Sequence, residues 1–233
     1  MKFILKILVV FGLAFGLNCC SEEEENIPQA TPRLFKYLAL GDSYTFGQGV
    51  CVDCRFPEQL KDSLGRYLTE EDDVEIKLIA QTGWTTNNLK NAVAAQNLTN
   101  DYNLVTLLIG VNNQYQGIPF SVYEQEFPEL VHTAIAKAGG NQNKVIVISI
   151  PDYAYTPFGQ GSAFISTGIN QYNAFAQDYC ESNGISFVTI TDITRLGLLQ
   201  PELVATDGLH PSTLAYAQFV SRILPLAKEK LGL

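Results

Sequence analysis

Ser43 closes the segment Tyr37-Leu38-Ala39-Leu40-Gly41-Asp42-Ser43, while Asp207 and His210 stand three residues apart in Asp207-Gly208-Leu209-His210-Pro211. A serine placed where an apolar strand gives way to a loop and a helix has its hydroxyl at the mouth of a sheet. That hydroxyl is a weak nucleophile until a neighbouring base takes its proton. An imidazole is such a base, and a carboxylate beside it fixes the tautomer and stabilises the protonated ring. Together these groups supply what acyl transfer from an ester needs, and the chain order Ser, Asp, His is one of several that build the geometry. Each piece also has a plainer use. Ser43 alone would serve as a helix cap, and Asp207-Gly208 alone as a turn.

The elements that must position these residues alternate along the chain. Short apolar runs at about 36–40, 74–80, 104–109, 144–150 and 186–190 read as strands. Most are nearly continuous in apolarity, as expected of parallel strands buried on both faces. Helical patterns lie between and after them, at about 57–68, 86–96, 122–138, 168–182 and 211–231. Pro57 suits a first helical turn, and Gly184 suits a helix stop. Five strands alternating with five helices predict an α/β fold, a three-layer α/β/α sandwich around a five-stranded parallel sheet. Right-handed crossovers favour the flavodoxin-like order 2-1-3-4-5. Ligands in such sheets bind beyond the carboxyl ends of the strands, where Ser43 and Gly110-Val111-Asn112 both fall.

Four blocks in order, each at an expected strand end, give the chain a specific resemblance. They are Gly41-Asp42-Ser43, Gly83 within Gln81-Thr82-Gly83-Trp84, Gly110-Val111-Asn112-Asn113, and Asp207-Gly208-Leu209-His210. The chain resembles the SGNH (GDSL) hydrolase family from about Lys36 to the C-terminus. The resemblance implies Ser43 as nucleophile, His210 as base and then acid, and Asp207 as the orienting carboxylate. It also implies an oxyanion hole made by the N–H of Ser43, the N–H of Gly83 and the amide of Asn112. Such donors are worth about 3–4 kcal/mol each. A glycine at position 83 suits close approach of backbone to substrate. Asn113 departs from the pattern, since the third block usually ends in aspartate; activity is expected to survive, with an altered supporting hydrogen bond or charge. The nucleophile does not sit in the Gly-x-Ser-x-Gly of α/β-hydrolases.

The 233 residues suit one such domain, and a 46% hydrophobic fraction is ample for its core. The net charge of −9 includes the run Glu22 to Glu25 and disfavours nucleic-acid binding. Lys2 and Lys6 precede an apolar stretch from Ile7 to Leu17, too short to span a bilayer as a helix. Leu17-Asn18-Cys19-Cys20 resembles a bacterial lipobox, with Cys20 favoured over Cys19 as the lipid-bearing residue. An ordinary secretory peptide is the alternative. The organisation expected is a signal peptide over 1–20, an acidic linker over 21–33 and the hydrolase domain over 34–233. The Cys-Ser-acidic run resembles the sorting signal of some surface-exposed lipoproteins, which makes the outer-membrane surface one expected location.

Cys51 and Cys54 form a lone C-x-x-C, and the chain has only His132 and His210 to complete a zinc site. In an oxidising compartment a local disulfide is the expected use, with two free thiols the alternative. Cys180 suits a buried small hydrophobe and His132 a structural or exposed position. Asn97-Leu98-Thr99 fits a glycosylation acceptor without meaning in a bacterial lipoprotein. Tyr44, Phe46, Trp84, Tyr115, Tyr153, Tyr155 and Phe158 lie around the strand ends, where they would stack on a sugar, line an acyl groove or join the core.

The whole predicts a lipid-anchored, extracytoplasmic ester hydrolase, monomeric, needing no metal or organic cofactor. Its partners would be an ester substrate on a glycan or lipid, with a lean toward short-acyl or acetyl esters, and a membrane reached through the anchor. A lysophospholipase-type enzyme and a non-catalytic glycan binder on the same fold are the competitors. A flavodoxin-like nucleotide binder is disfavoured, because Asp42 would repel phosphate.

Overall fold

A computed structural model describes residues 31–233. The expected signal peptide, Cys20 as the expected lipid-bearing residue and almost all of the expected linker lie outside these residues. One compact unit spans Pro32–Leu233.

The chain runs β1 (Leu34–Gly41), α1 (Ser43–Phe46), α2 (Phe56–Gly65), β2 (Asp73–Ala80), α3 (Thr86–Ala95), β3 (Leu104–Leu108) and α4 (Val111–Tyr115). It continues through α5 (Phe120–Lys137), β4 (Val145–Ile148), α6 (Ala163–Ser182), β5 (Ser186–Val188), α7 (Thr191–Thr194) and α8 (Thr213–Leu231). The strands form one sheet in the order β2-β1-β3-β4-β5, with every neighbouring pair parallel. This is the flavodoxin-like order expected from the alternation. Helices α2 and α8 cover one face, and α3, α5 and α6 cover the other.

Burial explains the strand pattern. Every residue of β3 and β4 is buried, as is β1 from Tyr37 onward, because both faces are covered. At the edge, β2 alternates in exposure. Pro57 does sit in the first turn of α2. Gly184, at φ +63°, ends α6, where the Ile185 N–H donates back to Cys180 O at 2.9 Å.

Two boundaries differ from the sequence reading for physical reasons. Helix α6 begins at Ala163, so Gly168 is interior; a Cβ there would lie 2.9 Å from the Gln114 side chain. That glycine is a packing contact, not a helix start. Helix α8 begins at Thr213, because the Ser212 hydroxyl caps it by accepting from Ala215 N–H, while Pro211 bridges to Val204. The single-turn helices α1, α4 and α7 had no periodicity to announce them. Two of these three carry Ser43 and Asn112.

Candidate active site

Three adjacent strands deliver one half of the site. Ser43 follows β1, Gly83 follows its neighbour β2, and Asn112 follows its other neighbour β3. Neighbouring strands lie about 4.8 Å apart, so the three segments emerge side by side. Gly41 makes the exit from β1 possible, since a Cβ would lie 2.1 Å from Thr45 Oγ1 and 2.6 Å from Leu108 O. Asp42 then caps α1, its Oδ1 accepting from Tyr44 N–H at 3.0 Å. The cap that a lone Ser43 would have supplied is thus Asp42, and Ser43 is the first helical residue. The Asp42 carboxyl is fully buried behind the turn, and its Oδ2 has no partner. Burial pushes this carboxyl up to about 7.

Gly83 has φ +82°, and a Cβ there would meet nothing within 4 Å. The backbone conformation there is one that favours glycine, and the space a Cβ would take is left open. Its carbonyl accepts from Gln116 Nε2 at 3.0 Å, and the preceding Thr82 hydroxyl donates to Gln48 Oε1 at 2.8 Å. Asn112 Nδ2 donates to Trp84 O at 3.0 Å. An amide nitrogen has two hydrogens, so one remains for a ligand. Asn113 is fully buried; its Oδ1 accepts from Thr86 N–H at 2.9 Å and its Nδ2 donates to Thr86 Oγ1 at 2.6 Å.

The other half comes from the loop before α8. Asp207 Oδ1 accepts from the N–H groups of Leu209 and His210, both at 3.0 Å, and Oδ2 lies 2.7 Å from His210 Nδ1. Since a carboxylate only accepts, Nδ1 carries the proton and Nε2 is left as acceptor. Burial pushes the Asp207 carboxyl up, but the two N–H groups and the imidazole outweigh it and hold the group below the ordinary value. The loop is clasped at its base by the Val204–Pro211 bridge and by Ala205 N–H donating to His210 O at 2.7 Å.

Ser43, Gly83, Asn112 and His210 share one cavity of about 210 Å³, whose walls include Tyr44, Tyr115, Tyr153 and Phe158. Among the described residues no hydrogen bond joins the Ser43 hydroxyl to the imidazole; such contacts often tighten only on binding. The Tyr44 and His210 rings are 5.1 Å apart. Tyr115, Tyr153 and Phe158 pack on one another at 6.0–6.3 Å, yet Tyr115 and Phe158 stay about half exposed. The loop that carries Tyr153 and Phe158 is anchored by buried Asp152, which accepts from Arg195 Nε at 2.9 Å. It meets the His210 loop through Phe158 N–H and Gly208 O at 3.0 Å. Of the other aromatic candidates, Trp84 brings its carbonyl to the site, and neither Phe46 nor Tyr155 lines the cavity.

Cys51 and Cys54 are joined in a disulfide. Cys180 is buried and free, and His132 pairs with Tyr179 Oη at 3.2 Å on an exposed face. Among the described residues, no group of three or more His, Cys, Asp or Glu could hold a metal ion, and no helix is long and apolar enough to cross a membrane.

Sequence reasoning missed Thr86, Gln116 and Glu126. Glu126 had a signal: the buried face of α5 is Tyr123, Glu126, Phe127, Leu130, Val131 and Ala134, a helical stripe with one carboxylate in it.

A sequence search of curated proteins finds no match. Solved structures do match. The lipase/acylhydrolase from Enterococcus faecalis aligns with a TM-score of 0.65 at 21% identity, covering 84% of this chain and 96% of its own. The psychrotrophic esterase EstA from Pseudoalteromonas sp. gives 0.60 at 16%, covering 85% and 99%. A single-residue variant of an acetyl xylan esterase from Geobacillus stearothermophilus gives 0.59 at 17%, covering 83% and 94%. At these identities the likeness is one of fold. The sequence profile of the GDSL-like Lipase/Acylhydrolase family matches residues 39–218, and the chain belongs to that family.

Proposed function

We propose that this protein hydrolyses carboxylic esters through an acyl-serine intermediate, with Ser43, His210 and Asp207 as its triad. The observation that carries the reading is the 2.7 Å Asp207–His210 pair, whose imidazole lines the same cavity as Ser43, Gly83 and Asn112. Ser43 Oγ attacks the ester carbonyl as His210 Nε2 takes its proton. The oxyanion is held by the N–H groups of Ser43 and Gly83 and by the free Asn112 amide hydrogen. Nε2 then protonates the departing alcohol, leaving the acyl-enzyme. Water attacks that ester with its proton passing to Nε2, and Ser43 leaves as the restored hydroxyl with the carboxylic acid.

Short acyl groups on a glycan are the favoured substrates. Rings half exposed at a cavity mouth suit the part of a substrate that stays outside, and a sugar face stacks on such rings. A lysophospholipid-type ester is the second reading, supported by the apolar walls Val111 and Leu209. The lipid anchor at Cys20 and an extracytoplasmic location belong to the same proposal, resting on the N-terminal sequence.

The test is turnover of p-nitrophenyl esters from acetyl to long acyl, beside Ser43→Ala. Turnover that the variant loses, falling with chain length, supports the short-acyl enzyme, and turnover rising with chain length supports the lipid-directed one. A folded protein that neither turns over an ester nor reacts with a fluorophosphonate would be a binder. Release from the membrane fraction by Cys20→Ser is expected; retention would refute the anchor.

A further inference from the structure

Glu126 is a carboxylate in an otherwise apolar helix face, only 7% exposed. Such a group persists inside a protein only where its acceptors are satisfied. Its Oε2 accepts from Thr86 Oγ1 at 2.5 Å, and its Oε1 accepts from Asn87 Nδ2 at 3.1 Å with Lys90 Nζ at 3.5 Å. Lys90 itself is held nearer the surface by Glu129.

Hydrogen counting then sets the direction of the whole chain of contacts. Thr86 has one hydroxyl hydrogen, and it goes to Glu126. The hydroxyl can therefore only accept from position 113, and there Asn113 presents an amide nitrogen at 2.6 Å. The other side of that amide accepts Thr86 N–H. Both Thr86 and Asn113 are fully buried, so water cannot replace a lost partner. Asn113 adjoins Asn112 in the single turn of α4, and Thr86 is two residues from Trp84, whose carbonyl holds the Asn112 amide.

We propose that Glu126 is a positioning residue for the oxyanion side of the site, acting through Thr86 on Asn113, and that Asn113 and Glu126 are a matched pair. The pairing explains the amide at position 113. An aspartate there would face Glu126 across Thr86, two carboxylates competing for one hydroxyl hydrogen. With the carboxylate on α5, position 113 must be a donor. The proposal rests on Asn112 acting as an oxyanion donor.

The test is a double-mutant cycle on kcat and KM for an ester that the wild type hydrolyses and Ser43→Ala does not. Asn113→Asp is expected to lower kcat about tenfold with KM within about twofold. Glu126→Gln keeps an acceptor for Thr86 and should stay within about threefold of the wild type. In Asn113→Asp/Glu126→Gln the polarity is reversed, and kcat should return to within about threefold of the wild type. Thr86→Val covers the case in which Asn113→Asp does not fold; it is similar in shape and should lower kcat without changing KM. Wild-type kcat in either Asn113→Asp or Thr86→Val overturns the proposal. So does a double variant whose loss is the product of the single losses, or a fall in Tm with kcat unchanged. Turnover abolished by Ser43→Ala stands whatever the cycle gives, so these failures would sink the Glu126 assignment alone.

Discussion

The two halves of the site are built by different means. The Ser43, Gly83 and Asn112 half hangs on the ends of three neighbouring strands and on side-chain bonds between residues distant in sequence, such as Asn113 to Thr86 and Thr86 to Glu126. The Asp207 and His210 half is almost self-contained, since one carboxylate accepts from three groups within three residues of it. A donor that must meet a developing charge needs a rigid frame, and sheet ends provide one. An acid–base pair needs only mutual orientation, and a short loop provides that. Damage to the first half should therefore spread through the frame, whereas damage to the second should stay local.

The largest effects break the two halves outright. Ser43→Ala should lower kcat on the order of 10⁵-fold, and Asp207→Asn on the order of 10³- to 10⁴-fold, because the carboxylate orients while the serine reacts. Equal losses in kinetic assays would place Asp207 on a par with the nucleophile and undo the division of labour. Next comes Asn112→Ala, expected to cost about 10² to 10³ in kcat with KM little changed. A rise in KM alone would show that the amide binds ground state and transition state alike.

Gly49→Ala tests how self-contained the second half is. Gly49 has φ +85°, and a Cβ there would sit 2.8 Å from Asp207 Oδ2. The substitution should lower kcat/KM about tenfold and cost about 1–3 kcal/mol in stability, read by kinetics and denaturant melts. Unchanged kinetics would mean that the Asp207–His210 pair moves as a unit.

The smallest expected effect is one of stability against pH, and its sign separates the halves again. Asp42 titrates near 3.8 when unfolded and about 7 when folded, so between those values only the folded state holds the proton. Stability then falls as pH rises from about 4 to about 7 and is flat above. Asp207, held low, has the opposite slope: its contribution is present above the unfolded value and is lost as pH falls through the folded one. Asp42→Asn should remove the neutral-range slope, giving a Tm that drops less than the wild type's between pH 5 and pH 8. Parallel Tm curves for the two proteins would rule out the buried carboxyl as its source.

Much of this was legible in the residues. The strand and helix alternation, Pro57 and Gly184 followed from periodicity and turn chemistry, which are local properties. The residues of the proposed triad and of the four blocks were legible because chemistry restricts each to one or two residue types. Gly83 was legible as a block residue, but its φ of +82° was not, since sequence cannot tell a glycine kept for positive φ from one kept for close approach. Gly168 looked like a helix start because its contact, Gln114, lies 54 positions away. The single-turn helices α1 and α4 were invisible, being shorter than any period.

By itself, the sequence determined the α/β class, the order of the elements and the residue types able to do ester chemistry, because each depends on local pattern or on a side chain's own functional group. Tertiary structure alone decided which hydrogen-bond donors face the cavity, why position 113 carries an amide and where the carboxylate of Glu126 points. Those depend on counting hydrogens among side chains that only the packing of α3, α4 and α5 brings within bonding distance.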